Sequence, residues 1–377
     1  MGAWPGKYII GLTGNIATGK SVVRKMLEHL GAYGIDADAL AHRAIAQDAP
    51  GYQVVMDTFG KWILMPDGQI DRARLGRIVF SDPEALAQLE AIIHPFVRQA
   101  VDLLVRRSRH KVIVIEAIKL LEGELRAASD SIWVSYAPEE IQLERLVRKR
   151  GLSPEVARQR IGAQSPQEEK LAAADVVILN DGAFEDTWHQ VQAAWEKVFP
   201  AGAMDAEPAE IEAAGGLVVE RPGPRQAGEI AEFITQASKG RRSLDRDDIM
   251  EAFGEKAFLL LKLEQRIVGI AGWQVENLVA RTADVYLESG FPLEEAIQAL
   301  MDQVEASSRE LQCEASLLFL PPHLARRSEV WQALGYEPRS IEDLGVRAWQ
   351  EAAKDSMPDG TVLLFKQLRK DRVLRPV

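Results

Sequence analysis

The feature that most constrains the fold is a glycine-rich motif near the start of the chain. Residues 14–21 read Gly-Asn-Ile-Ala-Thr-Gly-Lys-Ser and follow an apolar run at 8–12 that predicts a buried strand. Residues 21–30 carry apolar side chains at helical spacing. A glycine-rich turn between a strand and a helix points backbone N–H groups and the positive end of the helix at one place. The motif therefore predicts a nucleotide phosphate site in an α/β fold.

The residue types of this loop indicate how it would hold ATP. Those expected to bind the phosphates are Gly14, Ala17, Thr18, Gly19, Lys20, Ser21 and Val22. Lys20 would reach the terminal phosphates as a catalytic cation, and the Ser21 hydroxyl would bind Mg²⁺. ATP and Mg²⁺ are thus the expected cofactors. GTPases, ATPase motors and small-molecule kinases all use such a loop, so the motif alone leaves these classes open.

The apolar runs of the first 200 residues predict a parallel sheet flanked by helices. After residues 8–12 these runs recur at 112–115, 132–134 and 176–179. The stretches 40–110 and 139–171 are helical in pattern and longer than a simple crossover, which indicates two helical insertions. The second insertion is highly charged and favours a kinase with a closing lid.

The composition changes near residue 200. Residues 201–216 are rich in Ala, Glu, Pro and Gly and predict a linker between domains at 1–200 and 217–377; a surface loop of one large domain is the alternative. Beyond it a hairpin comes first in an α+β pattern. The expected elements are strands at 257–262, 267–273 and 283–287, a helix at 292–311, and strands at 315–320 and 361–367.

Composition narrows the expected partners and the compartment. The net charge of −11 argues against a general nucleic-acid or membrane binder, and no apolar run approaches the ~20 residues that span a bilayer. The first residues lead straight into the buried strand and are not typical of a signal peptide. The single cysteine, Cys313, fits a reducing cytoplasm. Nothing in the pattern specifies an oligomeric state.

Five ordered motifs between residues 7 and 199 resemble the dephospho-coenzyme A kinase family. Residues 11–21 are similar to that family's GLTGGIGSGKS, and 35–38 to its IDAD run. Asp71-Arg72 with Leu75 and His94-Pro95 matches its third motif. Residues 143–164 resemble its lid, and 174–182 its AD-x-VI-x-N-x-G run. The resemblance implies a P-loop NTPase core with helical CoA-binding and lid insertions, which phosphorylates the ribose 3′-hydroxyl of dephospho-CoA with ATP.

The resemblance also assigns candidate residues. Asp38 would be the general base or orient the acceptor, and the carboxyl end of a parallel strand is a suitable place for it. The alternative is that Asp38 only caps the helix that follows. Arg72 and His94 would belong to the acceptor site, although His94 is equally interpretable as a core or capping histidine. In the lid, Arg145, Arg148 and Arg160 would screen phosphoryl charge, with Arg145 catalytic, or would lie on a solvated helix face.

Residues 217–377 lie outside the kinase resemblance. Their element order, with Trp331–Pro338 as a late helix-to-strand segment, weakly resembles GNAT-type N-acetyltransferases. That fold binds acetyl-CoA through a glycine-rich loop before its long helix, and residues 287–293 lack the basic start and paired glycines. We expect a degenerate GNAT-like domain.

Several functions remain open at this point. The leading one is a dephospho-CoA kinase with an accessory domain. The alternatives are another small-molecule or nucleotide kinase, and a second domain that senses CoA, binds a partner or is an active acetyltransferase.

Overall fold

The structure is a computed structural model of the 377-residue chain. It describes residues 3–47, 49–79, 81–200, 211–212, 216–371 and 373–374. Among the helices described there, none is both long and apolar enough to cross a membrane.

A five-stranded parallel sheet forms the centre of the first half. Its strands are β1 (Tyr8–Thr13), β2 (Tyr33–Asp36), β3 (Val112–Glu116), β4 (Ser131–Tyr136) and β5 (Val176–Leu179), in the order β2-β3-β1-β4-β5. All five residues of β3 are buried, because helices cover both faces of a parallel sheet. The expected parallel α/β core is confirmed.

Ten helices accompany this sheet in the described residues of the first half. They are α1 (Lys20–His29), α2 (Ala37–Ala44), α3 (Pro50–Phe59), α4 (Arg72–Val79), α5 (Pro83–Arg107), α6 (Glu124–Ala128), α7 (Glu139–Arg150), α8 (Pro154–Gly162), α9 (Gln167–Ala172) and α10 (Phe184–Val198). Helices α2–α5 form the first predicted insertion between β2 and β3. Helices α7–α9 form the second, between β4 and β5.

The second half is an α+β domain around a mixed eight-stranded sheet. Its strands are β6 (Ile211–Glu212), β7 (Leu217–Glu220), β8 (Ala257–Leu263), β9 (Arg266–Glu276), β10 (Val279–Leu287), β11 (Ala315–Leu320), β12 (Glu337–Pro338) and β13 (Val362–Gln367). The order is β12-β13-β11-β10-β9-β8-β7-β6, and only the described pair β10–β11 is parallel. Its helices are α11 (Ala227–Ala237), α12 (Arg246–Phe253), α13 (Leu293–Glu310), α14 (Pro322–Ala325), α15 (Ser328–Ala333) and α16 (Arg347–Ser356).

The predicted hairpin is present as β8–β9, but it does not come first. Strands β6 and β7 and helices α11 and α12 precede it. The sequence did not indicate these elements, because their pattern of apolar residues is weak and they pack against strands that come later in the chain. Glu264 and Gln265 both have positive φ, 48° and 70°, as a two-residue hairpin turn with the twist of its strands requires.

The predicted linker is described only in part. Residues 201–210 and 213–215 lie outside the described residues. Residues 211 and 212 pair with Val219 and Val218 of β7, so the end of the predicted linker belongs to the second sheet.

The two halves are packed against each other. Leu278, Val373 and Leu374 of the second half are buried in the same apolar cluster as Tyr33 and Leu40 of the first. The interface therefore lies beside α2, which carries the predicted catalytic aspartate Asp38, and beside β2, the strand that precedes it.

Candidate active site

The glycine-rich loop connects β1 to α1 and needs glycine at two positions because other atoms approach closely. A Cβ built on Gly19, whose φ is 90°, would lie 1.7 Å from Asn180 Nδ2. A Cβ on Gly14 would lie 2.3 Å from the Ser135 carbonyl oxygen. Asn180 Nδ2 donates to the Thr18 carbonyl at 3.0 Å, which fixes the loop against the end of β5. Asn180 is thus a candidate site residue that was present in the 174–182 motif but whose contact with the loop the sequence did not indicate.

Lys20 lies at the start of α1 and is buried. Its Nζ donates to the Asn15 carbonyl at 3.2 Å, and Thr18 Oγ1 donates to the same oxygen at 2.9 Å. Burial lowers the pKa of Lys20, while Glu116, Asp38 and Asp36 act in the opposite direction. The Lys20 ammonium group therefore lies near the carboxylates at the end of β2, at the start of α2 and at the end of β3.

The aspartates of the 35–38 motif have separate contacts. Helix α2 begins at Ala37, and Asp36 is its N-cap, since Asp36 Oδ1 accepts from Ala39 N at 2.8 Å. Asp38 Oδ2 instead accepts from Ile118 N at 3.0 Å. The alternative that Asp38 caps the helix is therefore wrong.

Burial raises the pKa of both carboxyls. For Asp36, burial and then the nearby Glu116 raise the pKa to about 6. For Asp38, burial is again the largest cause, and the Ile118 amide offsets part of it. A carboxylate with a raised pKa is a better proton acceptor at neutral pH.

Glu116, at the end of β3, is a site residue that the sequence left undecided. Its carboxylate accepts from Ser21 Oγ at 2.9 Å and from Arg24 Nε at 2.8 Å. The described residues contain no group of three or more His, Cys, Asp and Glu side chains that could hold a metal. A hydroxyl beside a carboxylate nevertheless fits Mg²⁺, which takes hard oxygen ligands and commonly keeps only one or two from the protein beside those of the phosphates. The signal was present in the sequence as an apolar strand ending in an acid.

The three lid arginines lie in different surroundings. Arg145 on α7 donates from Nη1 to the Ala17 carbonyl at 3.1 Å and from Nη2 to Asn180 Oδ1 at 3.3 Å. Arg148 is exposed and pairs with Glu144 on the same helix at 2.8 Å. Arg160 is exposed near the end of α8. Of the three, the structure brings only Arg145 to the phosphate loop.

The segment after α8 holds the loop from another side. Ile16 N donates to Gln164 Oε1 at 2.7 Å, and Asn15 Nδ2 donates to the Ser165 carbonyl at 3.0 Å. Lys170 on α9 is buried, and its Nζ donates to Asn15 Oδ1 at 2.8 Å and to the Ile118 carbonyl at 3.1 Å. Sequence reasoning missed Lys170, because one lysine in a charged helix carries no signal of its own.

The predicted acceptor residues lie on the first insertion. Arg72 begins α4, is about half exposed, and lies 3.9 Å from Glu351 of the second half. It lines a cavity of about 320 Å³ together with Ala39 and His42 of α2 and residues of α16. His94 is exposed within α5, so the interpretation of it as a core or capping histidine is wrong.

The start of the long helix of the second half is unfavourable for a pyrophosphate. Helix α13 begins at Leu293, and Pro292 is its N-cap. Its first turn carries Glu294 and Glu295, whose negative charges oppose an anion at the positive end of the helix.

Comparison with known proteins places the first half in one family. A family model described as Dephospho-CoA kinase matches residues 8–186. The dephospho-CoA kinase of Geobacter sulfurreducens is 44% identical over 195 residues, covering 51% of this chain and 99% of that protein. The one from Carboxydothermus hydrogenoformans is 47% identical over 186 residues, covering 48% and 90%.

The C-terminal part has structural neighbours of its own. A GNAT-family acetyltransferase from Staphylococcus aureus Mu50 covers 41% of this chain and 99% of its own, with 17% identity and a TM-score of 0.34. The kinase relatives have no counterpart for this part, since half of this chain spans almost their whole length. The glycine-rich loop, the two aspartates at the end of β2 and the start of α2, and the nearly complete coverage of these relatives agree, and the chain belongs to the dephospho-CoA kinase family.

Proposed function

We propose that this kinase transfers the γ-phosphoryl group of ATP to the ribose 3′-hydroxyl of dephospho-CoA, giving CoA and ADP in the last step of CoA synthesis. The observation that carries the proposal is the position of Asp38. Its partly buried carboxylate lies on the first turn of α2, after the carboxyl end of β2, and interacts electrostatically with Lys20 of the phosphate loop. A hydroxyl held there can face a phosphate bound by the loop.

The residues divide the work of phosphoryl transfer. The Asp38 carboxylate orients the acceptor hydroxyl and takes its proton, and its raised pKa suits that role. Lys20 and Arg145 stabilise charge on the transferred group, because both are fixed to the loop by hydrogen bonds. The Ser21 hydroxyl with the Glu116 carboxylate would hold Mg²⁺, which neutralises phosphate charge when bound.

The acceptor would reach Asp38 from the first insertion. Arg72 and the α2 residues Ala39 and His42 face a common cavity, and this supports a role for Arg72 in binding the acceptor. A cytoplasmic location fits as well, since Cys313 is buried and unpaired and burial raises the pKa of its thiol. We further propose that the second domain is not a working acetyltransferase, on the evidence of the acidic first turn of α13.

The test is ADP release in a coupled assay with ATP, Mg²⁺ and either dephospho-CoA or a panel of nucleosides and nucleoside monophosphates. Among these acceptors, we expect only dephospho-CoA to support ADP release. Asp38→Asn should lower kcat by about 10²-fold or more, because the proton acceptor is lost while the Ile118 contact is retained.

Arg145→Gln and Arg148→Gln form a matched pair for the same assay. The first should reduce kcat, and the second should behave like the parent, because Arg148 is exposed and contacts Glu144. Turnover with a nucleoside monophosphate instead, or an Asp38→Asn variant as fast as the parent, would refute the proposed acceptor or the role of Asp38.

A further inference from the structure

Helix α2 carries Asp38 and is too short to hold its own position. It has eight residues, about two turns, and helices of that length are unstable without tertiary contacts. Its first turn is held within the kinase half by the Asp36 cap and by the bond between Asp38 and Ile118 N. What holds its last turn therefore also determines where Asp38 lies.

The last turn is held by the second half of the chain. Arg43 is 9% exposed; its Nη2 donates to Glu314 Oε2 at 2.6 Å and its Nη1 to the Asn277 carbonyl at 2.8 Å. Glu314 is fully buried, and its other carboxylate oxygen accepts from Val373 N at 3.1 Å. If the two elements shift within the interface, each charge stays buried without its partner, and an uncompensated buried charge is costly. Such a pair therefore favours one arrangement of the elements that carry it.

Strand β2, which leads directly into α2, is also held by the second half of the chain. The hydroxyl of Tyr33 donates to the Leu311 carbonyl of the second half at 3.3 Å. Leu278 and Val373 pack in the apolar cluster that contains Tyr33 and Leu40. The second half thus contacts both β2 and α2, through an ion pair, hydrogen bonds and buried apolar side chains.

We propose that the second domain positions the acceptor-activating carboxylate, and that Glu314, acting through Arg43, is the positioning residue. Asp38 then depends on a side chain 271 residues from Arg43 in sequence. The proposal rests on the proposed function for the role given to Asp38. It also gives the second domain a part in the kinase reaction that requires no ligand of its own.

The experiment compares Glu314→Gln with Glu185→Gln in the full chain. Glutamine in place of Glu314 keeps the size of the side chain and one oxygen for Val373 N, and puts an uncharged amide NH2 group in place of the carboxylate oxygen that accepts from Arg43. Glu185 belongs to another Arg–Glu pair between the halves, with Arg246 at 2.8 Å, but both of its members are exposed. It is the matched control, because exposed pairs contribute little.

We expect Glu314→Gln to lower kcat with dephospho-CoA by about 10- to 100-fold, as small displacements of catalytic groups do. The KM for ATP should stay within about twofold of the parent, since the phosphate loop has its own contacts. Hydrogen–deuterium exchange should become faster in residues 37–44 and remain unchanged in α1. Glu185→Gln should match the parent in every measurement.

A folded Glu314→Gln variant with the parent's kcat and the parent's exchange in α2 would overturn the proposal. If that variant does not fold, Tyr33→Phe replaces it, because it removes only the hydroxyl that contacts the Leu311 carbonyl. Faster exchange confined to 33–44 would then support the positioning of β2 and α2 by the second domain, and parental exchange would overturn that positioning. A parent inactive on dephospho-CoA would refute the proposed function alone, since the exchange experiment needs no acceptor.

Discussion

At the scale of single residues, Asp36 and Asp38 show how two neighbouring carboxylates acquire different tasks. Asp36 satisfies a backbone donor of α2, and Asp38 turns toward Ile118 and the phosphate loop. Burial raises the pKa of both, but only Asp36 has Glu116 as its second cause. Their environments, rather than their residue type, therefore separate the carboxylate that caps a helix from the one proposed to accept a proton.

The raised pKa of Asp38 predicts the acidic limb of the pH profile. The carboxylate must be ionised to accept a proton, so kcat/KM for dephospho-CoA should rise as the pH increases through its pKa. Because burial raises that pKa, the limb should lie above the ordinary value of about 4. Initial rates between about pH 4 and pH 9 measure it, and a limb at or below the ordinary value would contradict the assignment.

Asp36→Asn should stabilise the protein near neutral pH. An asparagine oxygen can still cap Ala39 N, while the buried charge beside Glu116 is removed. The folded-state pKa is raised to about 6, so the carboxyl costs nothing where it is protonated in both states. As the pH rises toward 6 the unfolded chain ionises first, and the native state loses stability.

Asp36→Asn should raise the free energy of unfolding by about 1–3 kcal/mol at a pH above the folded-state pKa of about 6, and by close to zero near about pH 4. Thermal denaturation at an acidic and a neutral pH measures both. A variant that is less stable than the parent at neutral pH would show that the attraction of Arg24 for the ionised Asp36 outweighs the cost of its burial.

At the scale of elements, the segment from Gln164 through α9 is part of the phosphate site. It contacts the loop at Ile16 and Asn15, whereas Arg145 contacts it at Ala17. Lys170 also reaches the Ile118 carbonyl, and the amide of the same residue binds Asp38. One short helix thus connects the loop, the segment after β3 and, through Ile118, the proposed catalytic carboxylate of Asp38.

Lys170→Met should raise the KM for ATP and lower kcat, together reducing kcat/KM by about tenfold or more. It leaves Asn15 Oδ1 without its buried donor, and such unsatisfied groups are costly. Lys149→Met is the matched control, since that side chain is 70% exposed. Steady-state kinetics with ATP varied tests this, and parental values for Lys170→Met would remove α9 from the site.

At the scale of the whole molecule, the two halves share a core beside β2 and α2. Leu278 is 9% exposed and packs among residues of the kinase half. Exposed pairs such as Arg107 with Asp371 lie at the edge of the same interface and contribute less. The buried contacts make the halves mutually dependent, although each has its own sheet.

The shared core predicts a single unfolding transition. Leu278→Ala should destabilise both halves together, by about 2–4 kcal/mol, because it removes buried apolar volume from the interface. Differential scanning calorimetry measures this as one peak shifted to lower temperature. Two resolved peaks, with only one of them moved by the substitution, would show that the halves unfold independently.

The sequence by itself determined the phosphate loop, four of the five parallel strands of the first half and the two helical insertions. These follow from local chemistry: glycines that a turn requires, and apolar residues whose spacing matches a strand or a helix. Asp38 was singled out by the resemblance of residues 35–38 to a family motif, and the carboxyl end of a parallel strand, where ligands bind, is a suitable place for it.

Only the tertiary structure decided which charges face the site. Arg145 and Arg148 are three residues apart on one helix. Because of how that helix packs, Arg145 contacts the Ala17 carbonyl and Arg148 is exposed to solvent. The partner of Arg43 lies in the other half, so its pairing could not be recognised from local pattern. A buried charge is stable only beside its partner, and the folded chain, rather than the spacing of residues, brings the partners together.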